Sequence, residues 1–248
     1  MCGRAKLPQD VSEIKLDLAI DWDDIGDYRP RWNAAPTSQL PVVVSHQGRR
    51  TLTLMRWGLV PSWAKTIAIG RSTFNARAED VRTRPAFRGA WTAGRRCLVI
   101  ADAYYEWRST DKQPFAVALA NRGPMTFAGL WDSWCDPAAK GAKPLKSLAI
   151  LTTSANEKLL PLHPRMPVLL APAHWPAWLG ETATSETELS AMLRPYPGAA
   201  MSAWAVDRRV GNVRNDDPDL LTPLSEPNAR GGVTDGTRGD ANRGSGAI

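Results

Sequence analysis

Arg96-Cys97-Leu98-Val99-Ile100-Ala101-Asp102 is a short apolar run closed at both ends by charge. Its brevity and its β-branched residues make it a buried strand over Cys97–Ala101. Similar runs recur at Pro41–Val44, Thr51–Trp57, Phe115–Leu119, Met125–Leu130, Ser147–Thr153, Val168–Leu170 and Met201–Val206, with turn residues between them. Helical signals are fewer. Trp175, Trp178 and Leu179 share a face at i, i+3, i+4, and Ser185 with Glu188 forms a capping box before Leu189, Met192 and Leu193. An early helix is predicted over about Val11 to Leu18. The fold class read from this pattern is α+β. It is a single domain, residues 1–226, with a mainly antiparallel, barrel-like β core and peripheral helices.

From Pro227 to Ile248 the composition changes. This stretch holds six of the 19 glycines and almost no large apolar residue, so residues 227–248 are expected to form a disordered Gly-rich tail. The 248 residues are 43% hydrophobic and 23% charged, the profile of a soluble globular protein. No apolar run approaches the ~20 residues that span a bilayer, and no secretory signal opens the chain. A cytoplasmic, DNA-associated location is the expectation. Three cysteines without CxxC spacing argue against a disulfide framework and a metal site, and Cys97 reads as a buried core thiol.

The net charge is +6 and is concentrated. Lys65 to Arg96 contains Lys65, Arg71, Arg77, Arg82, Arg84, Arg88, Arg95 and Arg96 against Glu79 and Asp80, an excess equal to that of the whole chain. Arg chelates phosphate and stacks on bases. Interleaved Phe74, Phe87 and Trp91 suit single-stranded nucleic acid better than duplex. A solvated basic surface is the plain alternative. Of the 11 Trp, most are expected in the core, with Trp63 the best candidate for a surface loop.

Cys2 follows Met1 and precedes Gly3 and Arg4. Loss of Met1 would leave a free α-amine beside a thiol. That 1,2-aminothiol can condense with an aldehyde and close to a thiazolidine. An α-amine has a pKa of ~7.7–8.0 against ~10.4 for Lys, so its neutral fraction at pH 7 is hundreds of times larger. Ring closure gains from being intramolecular. Three further segments carry polar residues in apolar surroundings: Phe74–Glu79 with Asn75 and Arg77, Tyr104–Trp107 with Glu106, and Leu162–Pro167 with His163 and Arg165. Glu106 between aromatics suits general acid/base work. Each residue also has an ordinary reading: Glu106 as a solvated strand end, His163 as a bonded loop histidine, Asn75 as a turn residue, and the arginines as ion-pair partners.

Taken together, the segments MCGR (1–4), RWNAAP (31–36), WGLVPSW (57–63), FNARAED (74–80), ADAYYEW (101–107), KQPF (112–115) and HPRMPVLL (163–170) resemble the SRAP (SOS response-associated peptidase) family. They occur in family order across about residues 1 to 215. The resemblance implies a sensor of abasic sites in single-stranded DNA that crosslinks Cys2 to the ring-opened sugar after Met1 is lost. It makes Cys2 the nucleophile, Asn75 a hydrogen-bond partner of the reacting amine or sugar oxygen, and Glu106 the proton shuttle. It makes His163 an aid to hemiacetal opening. Arg4, Arg77 and Arg165 would hold phosphates, and Trp63 falls near the family's aromatic wedge. No cofactor, metal or membrane is implied, and one protomer suffices. Lyase-like activity and self-removal of Met1 belong to the same expectation. The alternatives are an N-terminal-nucleophile amidohydrolase of the class II glutaminase type, a non-catalytic single-stranded DNA-binding module, and a peptidase acting on other proteins.

Overall fold

The computed structural model describes residues 2–139 and 141–224. Its strands are β1 (Ala5–Lys6), β2 (Trp22–Asp24), β3 (Gln39–His46), β4 (Arg49–Trp57), β5 (Asn75–Arg77), β6 (Arg96–Ala101), β7 (Ala103–Trp107), β8 (Pro114–Leu119), β9 (Met125–Trp134), β10 (Leu145–Ser154), β11 (Arg165–Pro167) and β12 (Met201–Ala205). The α-helices are α1 (Ser12–Asp17), α2 (Pro85–Thr92), α3 (Trp175–Leu179) and α4 (Glu186–Ala191), joined by short 3-10 turns.

The larger sheet returns on itself. Antiparallel pairings link β10 to β9, β9 to β6, β6 to β3 and β3 to β4, and β4 comes back to β10 in parallel at Ser147↔Arg56. The result is a ring of mainly antiparallel strands, the barrel-like core expected from the sequence. β11 and β5 flank β10, β2 lies outside β4, and the smaller sheet runs β1-β7-β8-β12.

This arrangement explains why the run at Arg96–Ala101 is continuously apolar. Cys97 and Val99 pack with Cys2, Met55, Trp57, Tyr104 and Phe127. Leu98 and Ile100 pack on the other face with Phe87, Trp91, Trp178 and Leu179 from α2 and α3. A strand buried on both faces does not alternate with polar residues. The capping box forms as the sequence predicts: Glu188 N donates to Ser185 Oγ at 3.2 Å, and Ser185 N donates to Glu188 Oε2 at 2.8 Å.

One expectation shifts, and three elements appear that the sequence reading did not assign. The strand predicted at Val168–Leu170 falls at Arg165–Pro167. Beyond Pro167 the chain passes from β10 to β9: Val168 N still donates to Leu151 O of β10, but Val168 O accepts from Ala128 N and Leu169 bridges Phe127 in β9. The segment Tyr104–Trp107 is itself a strand, β7, and Asn75–Arg77 is another. Helix α2 starts at Pro85, in the first turn where its missing N–H costs nothing. The tail expected from Pro227 lies outside the described residues. No helix among them is long and apolar enough to cross a membrane.

Candidate active site

The N-terminal segment is threaded between two pieces of backbone. Ala5 pairs with Tyr104 of β7 on one side and bridges Ala34 on the other. Tyr105 N donates to Arg4 O at 3.0 Å, and Leu7 N donates to Arg31 O at 2.7 Å. The chain is thereby led back to Cys2 beside Glu106. Cys2 is completely buried and Glu106 is 6% exposed. Burial pushes the Cys2 thiol far above its ordinary value, and the Glu106 carboxylate adds to the rise. Tyr104 is raised in the same way by burial, Cys2 and Glu106, so the three groups share one desolvated pocket.

Asn75 reaches the same place from β5, which lies parallel to β10 with Asn75 opposite Ile150. Its Nδ2 donates to the Cys2 carbonyl at 2.7 Å. Its Oδ1 is buried with no hydrogen-bond partner among the described residues. Glu106 Oε1 accepts from Trp107 N at 3.2 Å. His163 sits on the turn before β11, where its Nδ1 accepts from Arg165 N at 3.0 Å. That turn is joined to the end of β7 by a Ser109 N–H donated to Leu162 O at 3.0 Å. The His163 loop therefore abuts the strand that carries Glu106. The pocket combines a buried thiol, an amide bonded to the Cys2 carbonyl and a buried carboxylate, with the His163 loop alongside.

The arginines have different environments. Arg77 is 55% exposed at its side chain, 3.8 Å from Glu79. Arg165 is largely buried, forked onto Glu79 at 2.8 and 2.9 Å and bonded to Thr152 O at 2.5 Å. Arg4 spends its guanidinium on protein: Nη1 donates to Asn33 Oδ1 at 3.0 Å and Val210 O at 2.7 Å, and Nη2 to Gly211 O at 2.9 Å. It also lies 5.8 Å from the Trp107 ring centroid. Trp63 is 59% exposed. Its loop crosses the ring strands, with Val60 N on Ser147 Oγ at 2.8 Å, Ser62 N on Asp132 Oδ2 at 3.0 Å, and Trp134 Nε1 on Ala64 O at 2.7 Å.

The aromatics interleaved with the basic segment are not a stacking surface. Phe87 and Trp91 are buried on the inward face of α2, and Phe74 packs edge-on to Trp57 at 6.2 Å. Several of the arginines are spent as well: Arg82 pairs with Glu186, Arg84 with Asp80, Arg95 with Asp132, and Arg96 donates to Trp178 O. Sequence reasoning gave no role to Asn33 within RWNAAP or to Glu79 within FNARAED. Asn33 is fully buried, and its Nδ2 donates to Val210 O, Asn212 O and Asn215 O at 3.0, 3.1 and 2.9 Å. Its place in a motif was the available signal, but its partners lie some 180 residues away.

Comparison with known proteins adds an independent line. A family model described as SOS response associated peptidase (SRAP) matches residues 1–213. The abasic site processing protein YoaM of Bacillus subtilis is 36% identical over 89% of this chain and 97% of its own length. The abasic site processing protein HMCES of Gallus gallus is 30% identical over 90% of this chain and 78% of its own. A crystal structure of a protein from Bacteroides thetaiotaomicron superposes with a TM-score of 0.79, covering 90% of this chain and 100% of that one at 21% identity, a likeness of fold.

Proposed function

The chain belongs to the SOS response-associated peptidase family, and we propose that it recognises abasic sites in single-stranded DNA and captures them covalently through Cys2. Relatives named as abasic site processing proteins support a role in the response to such lesions. The observation that carries the covalent reading is the environment of Cys2, buried beside Glu106 and held through its carbonyl by Asn75.

The chemistry begins once Met1 has been removed, by the protein itself or by an aminopeptidase. An abasic sugar exists as a cyclic hemiacetal in equilibrium with the open aldehyde. His163 assists opening by taking the anomeric hydroxyl proton while the ring oxygen is protonated. The neutral Cys2 amine then attacks the aldehyde carbon, forming a C–N bond and a carbinolamine. Glu106 delivers a proton to the carbinolamine hydroxyl, which leaves as water, and takes back the nitrogen proton, so that the neutral imine remains and Glu106 is restored. The Cys2 sulfur adds to the imine carbon as its proton passes through Glu106 to the imine nitrogen. The sum is aldehyde plus aminothiol giving thiazolidine plus one water. Asn75 orients the nucleophile: its Nδ2 fixes the Cys2 carbonyl, and its Oδ1 is available to accept an amine hydrogen. Burial suits a thiol that must stay protonated until the imine forms. Arg77 at the rim meets the backbone of the bound strand, with Trp63 packing against a flanking base. Arg165 and Arg4, engaged with Glu79 and Asn33, hold the rim and the N-terminal segment in place and contribute positive potential.

The test is a denaturing gel of the purified protein after incubation with single-stranded DNA carrying one abasic site. A retarded band that Cys2→Ala abolishes, and that survives high salt, is the expected result. No band from protein verified by mass to lack Met1 would reject the reading. So would turnover of glutamine, which would instead mark an amidohydrolase.

A further inference from the structure

Outside the Cys2 pocket, the described residues include a basic pair that the mechanism leaves unused. Arg56, near the end of β4, and Arg71, at the end of the 3-10 turn Ile67–Arg71, are near enough for their charges to oppose each other. The fold brings them together through a contact that only glycine permits. Gly58 has φ +118°, and a Cβ there would lie 2.3 Å from Gly70 O. A Cβ on Gly70 would lie 2.7 Å from both Gly58 O and Arg56 Nη1. The Arg56 guanidinium thus rests on the backbone of the turn that presents Arg71. Its Nη1 donates to Gly58 O over a long 3.2 Å.

No carboxylate among the described residues pairs with either side chain. The acid placed nearest by strand register is Asp132, which faces Ser147 from β9 as Arg56 does from β4. Two strand spacings separate it from Arg56, about 10 Å. Asp132 is already engaged by Arg95 and by Ser62 N. Arg56 is held below the ordinary arginine value, by burial first and by the Arg71 charge second. Two like charges kept adjacent and partly desolvated, with no counter-charge from the protein, oppose each other until an anion joins them. The same loop region presents Trp63, 59% exposed, and Ile67, 43% exposed.

We propose that Arg56 and Arg71 form a phosphate clamp that takes a phosphodiester of the DNA strand flanking the lesion, beside the base that packs on Trp63. This rests on the reading of the protein as one that binds single-stranded DNA. The clamp would fix the register of the strand relative to Cys2, because a phosphate gripped at the Gly58–Gly70 contact is tied to β4 and through it to β10, against which β5 with Asn75 is paired.

The experiment measures binding of lesion-free single-stranded DNA by fluorescence anisotropy across a salt series. Wild type, Arg71→Gln, Arg56→Gln and the double variant are compared. Each lost phosphate contact lowers the slope of log K against log salt by about 0.7 for single strands. Arg71 is exposed, so Arg71→Gln tests the clamp without endangering the fold, and Arg56→Lys with Arg71→Lys should retain most of the slope. A reduced slope in Arg71→Gln and a larger reduction in the double variant is the expected result. A double variant with wild-type slope and affinity would overturn the clamp and leave the DNA reading intact. Wild-type protein that fails to bind single-stranded DNA would overturn both.

Discussion

Replacing Asn33 by alanine should damage the protein out of proportion to the size of the change. Asn33 Nδ2 carries two hydrogens and faces three carbonyls, of Val210, Asn212 and Asn215, so at least one hydrogen is shared. Its Oδ1 accepts from Arg4 Nη1 at 3.0 Å. The residue is fully buried, so water cannot simply replace it. A buried hydrogen bond is worth about 1 kcal/mol net, and each acceptor stranded in a dry site costs more. Three or four lost bonds therefore amount to about 3 kcal/mol, a large share of a domain's typical 5–15 kcal/mol. In a chain of this size 1 kcal/mol moves the melting point by about 2–4 °C, so the expected loss is about 6–12 °C. The same change leaves the 210–215 loop held only through Arg4 on Val210 O and Gly211 O, deprives Arg4 of its Asn33 acceptor, and loosens the segment leading to Cys2. Crosslinking should slow more than lesion-free DNA binding weakens. Asn33→Asp keeps an acceptor for Arg4 but removes the three donations, and should fall between the two in crosslinking rate. Thermal melting and a time course of crosslink formation on one preparation provide the test. A melting shift under about 2 °C, or an unchanged crosslinking rate at saturating DNA, would refute the reasoning.

Three further outcomes are expected. Trp63→Ala should leave the melting point nearly unchanged, because the ring is mostly exposed, while weakening single-strand binding by about 1–3 kcal/mol; unaltered binding in anisotropy would remove Trp63 from the DNA face. Gly58→Ala should destabilise by more than about 2 kcal/mol, since the new Cβ would meet Gly70 O at 2.3 Å in a left-handed conformation, and a urea midpoint equal to wild type would show that the contact relaxes freely. Burial raises the thiols of Cys2 and Cys97 in the folded state. The unfolded chain therefore releases these protons first as pH climbs past ~8.5, so their contribution is intact below that pH and is lost above it, by up to about 1.4 kcal/mol per pH unit for each thiol. Urea midpoints between about pH 7 and 10 should decline accordingly, with Cys97→Ala flattening the decline; a pH-independent midpoint in wild type would contradict the buried-thiol account.

Much of the ring was legible because strand positions are a local property. Pro41–Val44, Thr51–Trp57 and Cys97–Ala101 lie within β3, β4 and β6, where apolar runs bounded by turn residues fix the element before any partner is known. Helix α2 was hidden because its inward residues, Phe87, Ala90 and Trp91, sit among arginines that drew attention to charge instead of periodicity. β11 was displaced because a strand's edge depends on which neighbour shares its hydrogen bonds, and at Val168 that neighbour changes from β10 to β9.

The sequence by itself determined the chemistry at issue: a cysteine at position 2, a set of motifs in family order, and an excess of arginine in one segment. Only the tertiary structure decided which arginines are available. Arg4 finds Val210 O across 206 residues, Arg165 finds Glu79 across 86, and Arg56 meets Arg71 because two glycines let the backbones touch. Charge is written residue by residue along the chain. Its neutralisation is a matter of distances of a few ångströms, and those are set by which strands pair.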